Sequence, residues 1–325
     1  MTMQATQPLI EPHRLSGGPK RPAPARRPGD RFIAHPIAKD VQARIVAHIE
    51  RGIHKAGADI MTLTGPSRCG KSEIIWDMLQ WERFKKYQAP DGRTMQPIVY
   101  VEVKKGETPK SLAIAILKEL EDFKPDRGTQ AEAQSRAAGL LVERGVQLLV
   151  IDETQLLGGD KYDIGDFLRQ FVNRPIVPLL LIGLPSVETL IRSNSQVGGR
   201  SWPGIEMGAM DWNDREQRSI FRLLVKTLYT SFPSPYDILP TDFSELTRAY
   251  YITSGGLIGR VTRLMAVALD KAVLQGATEL TPQILGAAYE DMARLFDSPP
   301  PNAFRLKFLP DAMKKAANTT GMRRL

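Results

Sequence analysis

A single cysteine, Cys69, stands in 325 residues. That excludes an internal disulfide framework and fits a reducing compartment. Histidine is also scarce: His13, His35, His48 and His54 share no metal-ligand spacing, so none is a candidate ligand. Long apolar runs are missing too. The longest, residues 176–184, is interrupted by Pro178 and falls far short of the ~20 residues that span a bilayer. Residues 1–20 are polar and proline-rich with no apolar core segment, so no signal-peptide pattern opens the sequence and a cytoplasmic location is expected.

What is present is ordinary in bulk: 42% hydrophobic and 25% charged residues, as in a globular protein of one large or two modest domains. The net charge of +8 is unevenly placed. Arg14, Lys20, Arg21, Arg26, Arg27 and Arg31 face only Glu11 and Asp30 in residues 1–31. Arg305, Lys307, Lys314, Lys315, Arg323 and Arg324 face only Asp311 in residues 298–325. The basicity therefore sits in the tails. A nucleic-acid partner is suggested, and any contact on the near-neutral body must be a local patch.

Residues 1–30 hold six prolines and no periodic pattern, and read as a disordered basic tail. Order is expected from about Phe32. Helical spacing covers 38–51, and short apolar β-type runs occupy 60–64, 98–103, 147–151 and 177–182, with a last one at 204–207. Between them, 71–87, 109–123, 129–144 and 163–173 read as helices. Alternation of this kind predicts an α/β fold with a parallel five-stranded sheet flanked by helices over 31–210. Four further helices, 214–230, 241–253, 259–275 and 282–296, predict a small all-α lid domain over 211–297, followed by a basic tail over 298–325.

Gly65-Pro66-Ser67-Arg68-Cys69-Gly70-Lys71-Ser72 fits the phosphate-loop pattern without deviation, between a predicted strand and a predicted helix. Glycines let successive backbone N–H groups turn toward a phosphate at a helix N-terminus. Lys71 can reach the β- and γ-phosphates, and the Ser72 hydroxyl can ligate Mg²⁺. A second signal is Leu148-Leu149-Val150-Ile151-Asp152-Glu153, a buried-type strand ending in two acids. Asp152 is the second candidate Mg²⁺ ligand, and Glu153 the group that polarises an attacking water. The glutamate beside the aspartate indicates ATP hydrolysis rather than phosphorylation of a small molecule.

Other candidates complete the site. Arg200, with Arg192 as the alternative, is placed to serve a neighbouring subunit's γ-phosphate. Arg260, or else Arg263, opens a lid helix and can reach the nucleotide. Lys104, Lys105 and Lys110 in a short basic stretch, and Arg127 further on, are candidate contacts to DNA phosphates. Trp76 and Trp81, on the helix that follows the phosphate loop, read as core and edge residues.

With these residues in place, the chain resembles the TniB/TnsC group of AAA+ transposition ATPases, and TniB most. The resemblance runs from about Asp30 to Phe296. It rests on Arg31-Phe32-Ile33-Ala34-His35-Pro36, on the phosphate loop, on Gly145-Val146-Gln147 leading into the acid strand through Thr154-Gln155, on Pro178 to Gly183, on Arg200, and on Gly256-Leu257-Ile258-Gly259. It implies a P-loop AAA+ ATPase that assembles with ATP as a homo-oligomeric ring or filament on duplex DNA. It further implies engagement of a transposase and a TniQ-like targeting adaptor, in the cytoplasm of a bacterium and at the nucleoid when on DNA. Within that pattern Arg200 matches the intersubunit arginine, and Lys104 or Lys105 falls near the DNA-facing loop. One departure stands out. Where such ATPases carry a polar γ-phosphate sensor after the fourth strand, this chain has Leu184-Pro185 before Ser186, which implies that Ser186 substitutes or that turnover is slow. A helicase- or clamp-loader ATPase and a nucleotide-dependent signalling switch without DNA are the alternatives.

Overall fold

The computed structural model describes residues 32–53, 59–157, 177–193, 199 and 201–306. The helix expected at 163–173, Arg200 and most of both basic tails lie outside the described residues.

Helix α1 (Pro36–Ile53) starts where the sequence allows it. Pro36 takes the first helical position, and His35 Nδ1 accepts a hydrogen bond from Ala38 N at 3.4 Å. Ala38, Val41, Ile45 and Ile49 form its buried stripe. β1 (Ile60–Thr64) follows and leads through the loop into α2 (Lys71–Met78). A small antiparallel hairpin, β2 (Tyr87–Gln88) and β3 (Thr94–Met95), comes next. Then come β4 (Ile98–Glu102), α3 (Pro109–Glu119), α4 (Gln130–Glu143) and β5 (Leu148–Asp152), followed by β6 (Leu179–Gly183), α5 (Ser186–Ser193) and β7 (Ile205–Glu206).

The five long-range strands pair in parallel in the order β4-β5-β6-β1-β7. Alternate residues of each strand enter opposite cores. Val99, Leu149, Ile151 and Leu181 pack with α3 and α4, while Leu148, Val150, Leu180 and Ile182 pack with α1 and α2. A sheet covered on both faces explains the continuous apolar runs. Register puts the carboxyl ends level: Glu102 pairs with Asp152, and Thr64 with Gly183. The start of the phosphate loop and the acids thus share one edge, where open α/β sheets bind ligands.

One element departs from the sequence reading. The helix expected over 71–87 ends at Met78. Trp81 stacks on buried Phe84, ring centroids 5.9 Å apart, and its indole donates to Asp77 Oδ2 at 3.1 Å. Burial of these rings and the Pro90-Asp91-Gly92 turn, with Gly92 at φ 81°, override the helical pattern. Gly145 has a plain role: at φ 60° it caps α4, and its N–H bonds Val142 O at 3.1 Å.

The remaining helices form a separate core. They are α6 (Arg215–Thr230), α7 (Phe243–Ser254), α8 (Ile258–Leu274) and α9 (Pro282–Ala293), packed around Phe221, Leu224, Tyr250, Met265 and Leu285. Asp214 and Thr281 cap α6 and α9 through their side chains. The chain stays on this unit beyond residue 297. Ala303 is buried, Tyr289 OH donates to Pro300 O, and Arg305 pairs with Glu290 at 3.1 Å. Among the described residues no helix is long and apolar enough to cross a membrane.

Candidate active site

The phosphate loop turns sharply between β1 and α2, and each bend has a local cause. Gly65 lies against the 205–210 segment so closely that a Cβ there would sit 2.0 Å from Met207 O. Gly70 has φ 102° and Arg68 φ 69°, both left-handed. Lys71 is buried, with Nζ donating to Gly65 O (2.8 Å) and Pro66 O (3.0 Å). Its ammonium therefore lies inside the curve of the loop. Cys69 is buried beside it, and burial pushes the thiol's pKa up.

Opposite the loop, Asp152 is 2% exposed and accepts three hydrogen bonds. Ser72 Oγ donates to Oδ2 at 2.6 Å, Tyr100 OH to the same oxygen at 2.7 Å, and Glu153 N to Oδ1 at 2.7 Å. Burial, then the Asp152 carboxylate, push the Tyr100 phenol's pKa far up, so it remains a donor. Tyr100 is a site residue that sequence reasoning missed, because a tyrosine inside an apolar strand reads as core. Glu153 occupies the left-handed region at φ 55°, ψ 34°, which turns the chain out of the strand. Its carboxylate faces the cleft and accepts from Gln155 Nε2.

A cleft of about 590 Å³ joins the loop to the helical unit. Its lining divides between the loop with its polar and charged groups, residues 67–73 and Glu153, and apolar side chains, Phe32, Ile33, Met207, Leu224, Leu228 and Ile258. That division matches a molecule with charged phosphates at one end and a flat base at the other. Trp76, read as core, lines this cleft instead and is 46% exposed, its ring edge-on to Tyr100. The α2 face that carries it turns away from the sheet.

The lid meets the loop through glycine. Gly259 N donates to Arg68 O at 3.0 Å, and a Cβ at 259 would lie 2.7 Å from that oxygen. Gly256, at φ 75°, packs as closely on Met210 O. The late Gly-x-x-Gly is thus a seam between the two units. Of the two lid arginines, Arg263 lines the cleft. Arg260, expected at the nucleotide, lies 4.7 Å over the Phe296 ring and donates to Ser254 O. Phe296 offers it an aromatic face within the lid, and burial lowers its pKa.

The remaining candidates are dispersed. Lys104 and Lys105 are exposed after β4, and Lys110 is half-buried in the first turn of α3. Arg127 is exposed in a different loop, the one between α3 and α4, where Arg136 donates to its carbonyl. Arg192 pairs with Glu188 at 3.0 Å on α5. Ser186 is the exposed first residue of α5, while Leu184 donates its backbone N–H to Gln155 Oε1 at 3.1 Å.

For Mg²⁺, Ser72 Oγ and Asp152 Oδ2 form a pair of hard oxygens beside the loop, the donor type this ion selects. No group of three or more His, Cys, Asp or Glu could hold a metal among the described residues.

A family model described as bacterial TniB protein matches residues 25–203. No curated protein matches. Among solved structures, the Aeropyrum pernix ORC2 protein, in ADPNP–ADP complexes, is 14% identical with a TM-score of 0.62, over 82% of this chain and 71% of that one. The Aeropyrum pernix ORC1 protein in complex with DNA is 17% identical with a TM-score of 0.62, over 80% and 66%. Cdc6p from Pyrobaculum aerophilum is 14% identical with a TM-score of 0.57, over 86% and 69%. At these identities the likeness concerns the fold: a P-loop AAA+ body followed by a helical lid.

Proposed function

The chain belongs to the TniB family, and from that premise we propose that it is an ATP-hydrolysing regulator of DNA transposition that assembles on duplex DNA. The observation that carries the reading is the meeting of Lys71, Ser72 and Glu153 in one cleft that also has an apolar lining, with Asp152 bonded to Ser72 beside it.

In this reading, ATP draws Lys71 from the loop carbonyls to its β- and γ-phosphates. The lysine already lies within the loop, so the move is a side-chain rotation. Ser72 and Asp152 would hold Mg²⁺, which when bound neutralises charge on the phosphates. Tyr100 keeps Asp152 in place, and Glu153 polarises the attacking water. Phe32, Ile33 and the lid side chains enclose the base. ATP, spanning body and lid, sets their relation and so the shape of the oligomer surface. Arg200 supplies charge to the neighbouring subunit's γ-phosphate. Lys104, Lys105 and Lys110, with Arg127, hold DNA phosphates without reading bases. ORC1 was solved in complex with DNA on the same fold, which supports a DNA partner. The assembled form presents the surface that a transposase and a TniQ-like adaptor engage, and hydrolysis dismantles it, in the cytoplasm and at the nucleoid.

Sedimentation and negative-stain imaging with duplex DNA test this, comparing ATP, a non-hydrolysable analogue, ADP and Lys71→Ala. Rings or filaments are expected with ATP and the analogue, and neither with ADP nor with Lys71→Ala. Assembly in no nucleotide state would transfer the reading to a loader ATPase or a switch.

A further inference from the structure

Gln155 has both ends of its side chain engaged. Its Nε2 donates to Glu153 Oε2, and its Oε1 accepts from Leu184 N at 3.1 Å, just past the end of β6. The backbone at Gly183 makes this possible: a Cβ there would sit 2.3 Å from Gln155 Oε1 and 2.7 Å from Val187 Cγ2. The turn that carries Gln155 is held separately. Thr154 is fully buried and its hydroxyl donates to Ile151 O at 2.8 Å, while Leu156 N donates to Glu153 O at 2.8 Å. The Gln155 side chain is therefore free of the task of shaping the backbone.

We propose that Gln155 is a positioning residue for ATP hydrolysis, fixing the direction of the Glu153 carboxylate and tying that direction to the end of β6. The inference rests on the ATPase reading above. A glutamate carboxylate swings on several single bonds, and a base acts well only when held within hydrogen-bond reach of the water it polarises. Holding Oε2 leaves Oε1 to the cleft. A neutral amide does so without the charge a lysine or arginine would bring. The far end of the amide is bound at residue 184, immediately after the strand that lies between the phosphate-loop strand and the acid strand. A shift of β6 relative to β5 therefore moves Gln155, and with it Glu153. Leu184 contributes its backbone N–H here, where a polar side chain was sought in the sequence.

The test compares full-length wild type, Gln155→Leu, Gln155→Glu, Glu153→Gln and the Gln155→Leu/Glu153→Gln double variant. Single-turnover ATP hydrolysis is read beside the Kd for a fluorescent ATP analogue. Gln155→Glu retains the acceptor for Leu184 N and loses the donor to Glu153, so a merely structural brace would survive it. Both Gln155 variants are expected to hydrolyse about 10- to 100-fold more slowly with Kd changed less than about twofold. In the Glu153→Gln background the Gln155→Leu loss should vanish. Hydrolysis at the wild-type rate in either Gln155 variant overturns the proposal, as does a Kd that rises in step with the lost rate, or a loss that persists without Glu153. If Gln155→Leu is insoluble, Gln155→Glu alone decides. A wild-type chain that hydrolyses no ATP overturns the ATPase reading itself. A dead Glu153→Gln beside a fully active Gln155→Glu overturns only the role given to Gln155.

Discussion

In the α/β body, the side chains at the cleft are held by others behind them: Ser72 and Tyr100 converge on Asp152, and Gln155 on Glu153. The lid brings apolar side chains, one arginine and a glycine pressed on the loop carbonyl of residue 68. The body is thus built with its chemistry in place, and the lid acts by where it sits. Among the described residues the buried imidazoles and the buried phenols divide in the same way. The body buries two imidazoles, His35 and His48, and the lid three phenols, Tyr229, Tyr250 and Tyr289. Burial pushes His35 down to about 4 and lowers His48, whose Nε2–H donates to Leu179 O. It pushes Tyr229 and Tyr289 up to about 12 and raises Tyr250 well above the ordinary phenol value.

The largest expected effect follows from that division: acid opens the body before the lid. Above pH 6.5 His35 is neutral whether folded or not, and its Nδ1 caps α1. As pH falls from 6.5 toward 4, the unfolded chain takes up a proton that the folded chain excludes, so stability drops. For His35 alone the loss reaches about 3 kcal/mol once pH passes below 4. The lid phenols, with Tyr100 in the body, act in the opposite direction, above pH 10, where only the unfolded chain ionises. Hydrogen exchange read by mass spectrometry should show residues 36–53 losing protection near pH 4.5 before residues 215–274. His35→Asn, which caps without titrating, should flatten part of the acid slope. Equal loss in both regions would break the comparison.

Next in size is the seam. Gly259→Val places a side chain against Arg68 O, and overpacking of this kind costs about 2 kcal/mol. Because the strain falls where lid meets loop, it should appear as a roughly 30-fold weaker Kd for ATP, with thermal stability of the apo protein little changed. A large fall in melting temperature with unchanged Kd would show that the seam serves folding and not nucleotide capture.

The two halves also differed in how legible they were. Strand ends could be read because a strand buried on both faces leaves an apolar run, and the acids and phosphate loop interrupt such runs. Tyr100 hid inside one of them. Gln155 stands in the acid motif, yet its partner at residue 184 lies just past another strand and no spacing reveals it. The β2–β3 hairpin carried a readable signal in Pro90-Asp91-Gly92, obscured by the helical pattern before it. In the lid, helices followed the period closely, but the arginine that faces the cleft did not. Arg260 and Arg263 lie three residues apart, nearly one turn, and what separates them is Phe296, from beyond α9, lying under the guanidinium of Arg260.

That pair gives the smallest and sharpest test of how the lid contributes. Arg263 lines the cleft from α8, so its removal subtracts a cation from the nucleotide's surroundings. Arg260 instead packs on an aromatic ring and bonds Ser254 O. Arg263→Ala should therefore weaken ATP binding about fivefold, near 1 kcal/mol, while the lid's stability stays as it was. Arg260→Ala should lower lid stability by a similar amount through the lost cation–π contact, leaving Kd within about twofold. Isothermal titration with ATP beside thermal melts separates the two. If Arg260→Ala loses the affinity and Arg263→Ala does not, the lid must rotate on binding to exchange one arginine for the other. The seam at Gly259 would then be a hinge rather than a fixed contact.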